Sequence, residues 1–407
     1  MTITENRRSR AHVDGILIAL VFGLSLFGIV AVCVATYSPT STADTSFLNH
    51  IFESDKAPKQ CLFVLLAPLV IGVIMAFPYE LLRRRAEMFY WAAFILLAVT
   101  TIFNRAAGVK AWLDTLWGYT IQPSEFMKLA LILVLAKNFA RQDRPMNDAK
   151  SFIHIFMIVG IPGVVILLQG ETGSLLVIIF MFAVMMYFSN VSMKTLVILA
   201  LLAILAILAL YAFVSMADIQ DYRLNRIAGW IDPEKYSSSD AYQQTMSKMT
   251  IGSGGLRGNG MFVTGAISQL NYVPADWTDF IYATIGETWG FIGCVSVLAA
   301  YALILLRMLY LAWNTRDKFG RVIISGVIGM LLFHVLENIA MSLGLMPITG
   351  IPLPFLSYGG SNMMTSMGGV GLVLNVTRNR SLNFAVNTPQ TMYNPYRIHK
   401  RFKTKGY

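Results

Sequence analysis

The sequence predicts an all-α polytopic membrane protein, with about ten transmembrane helices and a long extracytoplasmic loop before helix eight. Two observations carry that prediction. Hydrophobic residues make up 56 % of the 407 and charged residues 13 %, where a soluble globular domain carries roughly 25 % charged residues. Apolar runs near 20 residues, one bilayer thickness as helix, recur along the whole chain. Together they exclude an ordinary soluble enzyme and a disordered chain. With 32 Lys and Arg against 22 Asp and Glu the net charge is +10. In such a chain excess cations serve topology first, not nucleic-acid binding.

The apolar segments run over roughly 14–36, 61–77, 88–103, 123–139, 152–168, 172–188, 194–214, 278–310, 321–345 and 357–377. The first, about 23 residues with no small-residue cleavage site at its end, is not expected to be a cleaved signal peptide. Several segments are near 17 residues, which leaves room for tilt or partial re-entry. Only Gln169-Gly170-Glu171 separates the fifth from the sixth, so these two form a tight hairpin that need not cross fully.

Short loops set the orientation. Arg7, Arg8 and Arg10 precede the first segment, Arg83 to Arg85 follow the second, and Lys137, Arg141, Arg144 and Lys150 follow the fourth. Arg316, Lys318 and Arg321 lie between the eighth and ninth, and the tail carries Arg378, Arg380, Arg397, Lys400, Arg401, Lys403 and Lys405. Ten crossings put every cluster on one side, the cytoplasmic side by the positive-inside rule. The expected organisation is a cytoplasmic N-terminus (1–13), a ten-span membrane domain (14–378) and a basic cytoplasmic tail (379–407). Both termini are then expected in the cytoplasm. Outside lie 37–60, 104–122, 215–277 and 346–356; the 215–277 loop, about 63 residues, is long enough to imply a function. It is expected to fold back over the membrane face as short amphipathic helices. The chain shows no internal repeat and no low-complexity tract.

Cys33, Cys61 and Cys294 sit in or at the edge of apolar runs without a CxxC, and the five histidines show no ligand spacing. Neither a disulfide framework nor a zinc site is indicated. The glycines 252, 254, 255, 258 and 260 match neither GxxxxGK[ST] nor GxGxxG, and no strand precedes them. A backbone passing close to a ligand or another helix is the better reading.

Polar residues concentrate on the outer side, in three stretches. In the first, Asp279 opens a long apolar helix at the membrane boundary. It reads as part of a helix start, with Asp276 as N-cap and Asp279 at N3. It reads equally as a general base whose proton affinity is raised by partial desolvation. In the second, Lys110 and Trp112 lie in an outer loop, and Pro123 and Ser124 suit a helix start. Glu125 and Lys128 then share one helix face, as a structural ion pair or as the wall of a polar cavity that Glu171 joins. The third, Asn338 to Ser361, is rigid with Pro347, Pro352, Pro354, Gly350, Gly359 and Gly360. It is either a packing turn or a loop whose Ser357 and Tyr358 hydroxyls meet a ligand.

These stretches read GVKAWL with IQPSEFMKLALIL, AYQQTMSKMTIGSGGLRGNG with TDFIYATIGETWGFIG, and GLMPITGIPLPFLSYGGS. In order and spacing they closely resemble the FtsW/RodA family, the SEDS proteins (shape, elongation, division and sporulation), over most of the chain. GLMPITGIPLPF is similar to the RodA (elongation) branch more than to the FtsW (division) branch. The resemblance implies a peptidoglycan glycosyltransferase that joins lipid II into glycan strands at the outer face of the cytoplasmic membrane, beside a class B penicillin-binding protein. It implies Asp279 as the essential acid of the T-D-F motif, Lys110 and Trp112 as the loop Lys and Trp, and Glu125 and Lys128 as the polar pair of P-S-E-x-x-K. Gln122, Ser124, Glu171, Thr278, Ser357 and Tyr358 complete the candidate substrate contacts. There are departures: Pro274-Ala275-Asp276-Trp277-Thr278-Asp279 lacks the family's Glu, Glu171 stands where the family has Asp, and Asn259 stands where Lys is common, with Arg257 nearby as a cation.

The expected reaction has Asp279 take the proton of the acceptor's GlcNAc 4-hydroxyl. That oxygen displaces undecaprenyl diphosphate from the donor MurNAc with inversion. Cations near the leaving group matter most: Lys110 first, then Arg223 and Arg226. A divalent cation, Mg or Mn, can share that work, although the sequence offers no dedicated metal cage. Two other classes fit the pattern. A lipid II flippase needs a polar path through the whole bilayer, and a non-catalytic scaffold only binds and activates the penicillin-binding protein.

Overall fold

The computed structural model describes residues 13–37, 54–103, 111–114, 120–142, 148–199, 239–263, 265–270 and 272–386, with single positions at 146, 201, 205, 226, 229 and 230. Its elements in chain order are α1 (Gly15–Ala35), α2 (Ala57–Ala76), α3 (Tyr79–Arg84), α4 (Ala86–Phe103), the strands β1 (Leu113–Asp114) and β2 (Thr120–Ile121), α5 (Pro123–Ala140), α6 (Ala149–Gln169), α7 (Thr172–Phe188), α8 (Ser239–Ser253), α9 (Ile281–Trp313), α10 (Lys318–Ser342) and α11 (Gly360–Val386). Among the described residues, α1, α2, α4, α6, α9 and α10 are the six helices long and apolar enough to cross a membrane. The chain is therefore a helical membrane protein. Residues 193–199 are helical too; the rest of the seventh apolar segment, save 201 and 205, lies outside the described residues. So do Arg7, Arg8, Arg10, Arg144, the tail beyond 386 and most of 215–238.

Local chemistry explains the helix ends. Asp14, Asp148 and Asp317 accept from the backbone N–H three residues on, at 2.9, 3.0 and 3.1 Å, and so cap α1, α6 and α10. Pro123 starts α5 at a position where its missing N–H costs nothing. Gly170 closes α6 with a left-handed φ of 88°. Two boundaries differ from the sequence reading. The last helix continues to Val386, past the apolar limit at 377, because hydropathy marks only the apolar part buried in the bundle and no breaker occurs before Pro389. A two-residue antiparallel ladder pairs Leu113 with Ile121; a strand that short leaves no periodicity to read.

α10 is the hub. It packs against α5, α7, α9 and α11 and is buried along most of its length. Gly326 and Gly329 permit this: a Cβ on Gly329 would stand 3.0 Å from the Met181 backbone of α7. Small residues let helix backbones approach closely where lipid supplies no hydrophobic drive. The outer ring bares Leu65, Leu69, Ile102, Phe103, Leu168 and Trp313, an apolar surface suited to acyl chains. At one end of the bundle Asp14 pairs with Arg307 at 2.7 Å, Tyr79 donates to Asp317, Lys137 pairs with Glu87, and Lys318 donates to the Gln142 carbonyl. The described members of the basic clusters around Arg83, Lys137 and Lys318 thus share that end.

α9 is broken at Gly290 (φ 67°, ψ −161°), and the glycine-rich loop fills the break. Phe291 N–H donates to Gly255 O at 2.9 Å and Ile292 N–H to Leu256 O at 3.2 Å. In return Asn259 N–H reaches Glu287 O at 2.9 Å and Gly260 N–H reaches Thr288 O at 3.1 Å. The Glu287 carboxylate accepts from the N–H groups of Ile267 and Ser268 at 2.7 and 3.0 Å, which holds the following turn. The close-approach reading of the glycines therefore stands, with the α9 backbone as the neighbour. A Cβ on Gly254 would run into Gly286 O. Gly254→Ala is expected to cost about 1–3 kcal/mol of stability by overpacking. Gly72→Ala, where nothing lies within 4 Å, is expected to cost nothing. Thermal unfolding of the purified variants in detergent checks both.

Candidate active site

A polar recess of about 340 Å³ lies at the end of the bundle opposite the Asp14–Arg307 pair. Gln122 and Glu125 line it from the start of α5, Glu171 and Ser174 from the α6–α7 turn, His334 from α10, and Thr349 to Pro352 from the loop before α11. Thr278, Asp279, Tyr358, Asn362, Trp112 and Arg226 complete the wall.

Asp279 is held by its backbone. Trp277 O accepts from Tyr358 N–H at 2.9 Å, Thr278 O from the Ser357 hydroxyl at 2.5 Å, and Asp279 O from the Asn338 amide at 2.8 Å. Three successive carbonyls are thus tied to α10 and to the loop before α11. Asp279 does not stand at N3 and Asp276 is not an N-cap: α9 starts at Ile281 with Phe280 in the cap position and no side-chain cap bond. The ties from Ser357, Tyr358 and Asn338 hold 277–279 in a non-helical turn. Asp279 is half-buried in the recess wall, and its carboxyl is pushed up to about 6 by desolvation, against the Thr278 hydrogen bond and the Arg226 charge. Asp276 is 1 % exposed and lies outside the recess; burial raises its proton affinity well above the carboxylate range.

Glu171 accepts from the Gln122 amide, while Gln122 N–H reaches the Ser361 hydroxyl at 3.0 Å. Burial raises the Glu171 proton affinity, and the Gln122 hydrogen bond opposes that. Behind the wall, Lys128 is fully buried. Its ammonium donates to Glu125 at 2.7 Å and meets His334 Nε2 at 2.9 Å. His334 Nδ1 faces Pro352 O at 3.2 Å. A carbonyl only accepts, so Nδ1 carries the proton and Nε2 accepts from Lys128. The Glu125–Lys128 couple is therefore both an ion pair and, through Glu125, part of the cavity wall.

Several sequence candidates sit elsewhere. Ser357 does not line the recess: its hydroxyl is spent on Thr278 O and on Leu353 N–H at 2.8 Å. Ser124 is buried beside Glu171, and Arg257 lines a separate groove. Lys110 and Arg223 lie outside the described residues. Among the described residues no three His, Cys, Asp or Glu side chains gather as a metal-ligand set. His334 and Glu337 are not among the sequence candidates, and Asn338 enters there only as the start of the third stretch. Glu337 accepts from Thr349 at 2.9 Å, and Asn338 bridges Asp279 O and Ile351 O. The signal for His334 and Glu337 is two ionisable residues three apart inside an apolar segment; a search for metal-ligand spacing passes over it.

Lys128→Met should destabilise the fold by about 3–5 kcal/mol, because Glu125 is left buried and uncompensated. The double variant Lys128→Met/Glu125→Gln should recover much of that loss. Unfolding midpoints of the single and double variants decide.

The family model FTSW_RODA_SPOVE, described as "Cell cycle protein", matches residues 15–382. The chain is 33 % identical over 319 residues to "Peptidoglycan glycosyltransferase MrdB" of Escherichia coli (strain K12), covering 77 % of this chain and 84 % of that one. It superposes on the Thermus thermophilus rod shape determining protein RodA with a TM-score of 0.66 at 27 % identity, covering 91 % of this chain and 99 % of that one. A solved structure described as "Structural coordination of polymerization and crosslinking by a peptidoglycan synthase complex" matches with a TM-score of 0.73 at 27 % identity, over 90 % of this chain and 98 % of that one. On its helical architecture, its motifs and these matches, the chain belongs to the FtsW/RodA/SpoVE family.

Proposed function

We propose that the chain is an inverting peptidoglycan glycosyltransferase that polymerises lipid II, with Asp279 as general base. The observation that carries this reading is a half-buried carboxylate, fixed by its backbone in a polar recess with Arg226 on the same wall. The name of the Escherichia coli relative supports the reaction class.

The acceptor's GlcNAc 4-hydroxyl gives its proton to Asp279, its oxygen attacks the donor's anomeric carbon, and undecaprenyl diphosphate departs. The leaving group gains negative charge, so a cation in the wall lowers the barrier. Arg226 is the described candidate; Lys110 and Arg223 remain candidates by sequence. A divalent Mg or Mn ion can add to that charge, but the described residues offer no ligand set, so the steps are assigned to side chains. Glu125, Glu171, Gln122, Trp112 and Tyr358 are the proposed sugar and diphosphate contacts, with Thr278 and Ser124 supporting them. Lys128 acts from behind the wall.

The proposed setting is the bacterial cytoplasmic membrane. Ten spans within 14–378 put the N-terminus (1–13) and the tail (379–407) in the cytoplasm, and the 215–277 loop outside. The likeness to RodA and the GLMPITGIPLPF loop favour a role in elongation. The likeness to a peptidoglycan synthase complex supports a class B penicillin-binding protein as partner.

Purified chain, with and without such a partner, is expected to polymerise lipid II. Asp279→Asn should lower the rate by about 10²–10⁴-fold or more while leaving the unfolding midpoint near wild type; normal polymer from that variant rejects the assignment. The rate should fall as pH drops through about 6, because below that value the carboxyl is protonated and cannot accept. Arg226 stabilises the carboxylate, so Arg226→Gln should move that limb to higher pH in a pH–rate profile.

A further inference from the structure

We propose that the groove between α1 and α9 is a binding site for an anionic membrane phospholipid, with Arg257 holding the headgroup phosphate. The groove has a volume of about 630 Å³; Gly23, Leu24 and Phe27 line it from α1, and Ile292, Ser296 and Ala300 from α9. It shares no lining residue with the polar recess, so it is separate from the reaction site.

Depth comes from the helix break. Phe291–Trp313 is about 23 residues, or roughly 35 Å of helix, close to the ~30 Å hydrocarbon core. Gly290 therefore stands at headgroup level, and Ala300 lies some 15 Å deeper, where an acyl chain runs. Trp289, packed on Phe27 at 4.9 Å between ring centroids, lines the groove beside Arg257.

The cation is presented, not incidental. The four backbone bonds that lock residues 255–260 into the break fix Arg257 over the mouth of the groove. Its side chain is exposed and has no acidic partner among the described residues. The small residues Gly23, Gly293, Ser296 and Ala300 leave the space that an acyl chain fills. A cation at headgroup depth above an apolar slot matches a phosphate with a chain attached.

The test uses the full chain in phosphatidylcholine nanodiscs containing a phosphatidylglycerol probe with a photoreactive group midway along its acyl chain. Adducts should map to the α1 and α9 residues that line the groove. Arg257→Gln should cut them about fivefold, the value of one Arg contact at an anionic surface. Ala300→Phe, which fills the slot, should remove them. Lys194→Gln, remote from the groove, should leave them unchanged. Arg257 is exposed, so its variant remains informative even if Ala300→Phe fails to fold. Unchanged labelling in Arg257→Gln, equal labelling by a phosphatidylcholine probe, displacement by a prenyl diphosphate but not by unlabelled phosphatidylglycerol, or exclusion of the probe by a partner's transmembrane helix would each overturn the proposal.

Discussion

A bare ammonium inside a bundle of apolar helices is very costly, so Lys128 must be paired, and the way it is paired organises the recess. One donor goes to Glu125 on its own helix and another to His334 on the hub helix. His334 in turn rests on the Pro352 carbonyl. A single charge thus ties α5, α10 and the proline-rich loop together. With Asn338, one turn along α10 from His334 and bonded to Asp279 O and Ile351 O, the same helix reaches the acid. Removing either carboxylate or ammonium alone leaves an uncompensated charge, which is why the couple acts as one unit.

The broken helix supplies the second constraint. A continuous helix through Gly290 would satisfy its own N–H groups and leave the glycine-rich loop without partners. The break exchanges those bonds for four bonds to the loop. The short stretch Ile281–Trp289 can then leave the direction of the membrane crossing and carry the Thr278–Asp279 turn into the recess. The glycines are needed because the two backbones come too close for any side chain, as at Gly254 and Gly258.

Much of this was legible in the sequence. Long apolar runs marked the crossing helices, Pro123 marked the start of α5, and Glu125, Glu171 and Asp279 were singled out because charge near a bilayer needs a reason. What stayed hidden depended on tertiary contacts. The Asp276–Asp279 spacing fits a capping box as well as a turn, and only the ties from Tyr358, Ser357 and Asn338 choose the turn. Ser357 looked free because its two partners, Thr278 and Leu353, cannot be inferred from spacing. His334 has no metal-ligand spacing in the sequence, and its acceptance from a lysine on another helix is visible only in the fold. Hydropathy marked the apolar part of the last helix but not its end, since a helix runs on until something breaks it.

The three tied carbonyls at 277–279 bear on the reaction proposed for the recess. An acid mounted on a clamped main chain is a fixed post. If Asp279 is the general base proposed above, it cannot follow the strand between one sugar addition and the next, so the strand advances past it by one disaccharide and the travel falls to the lipid-borne reactants.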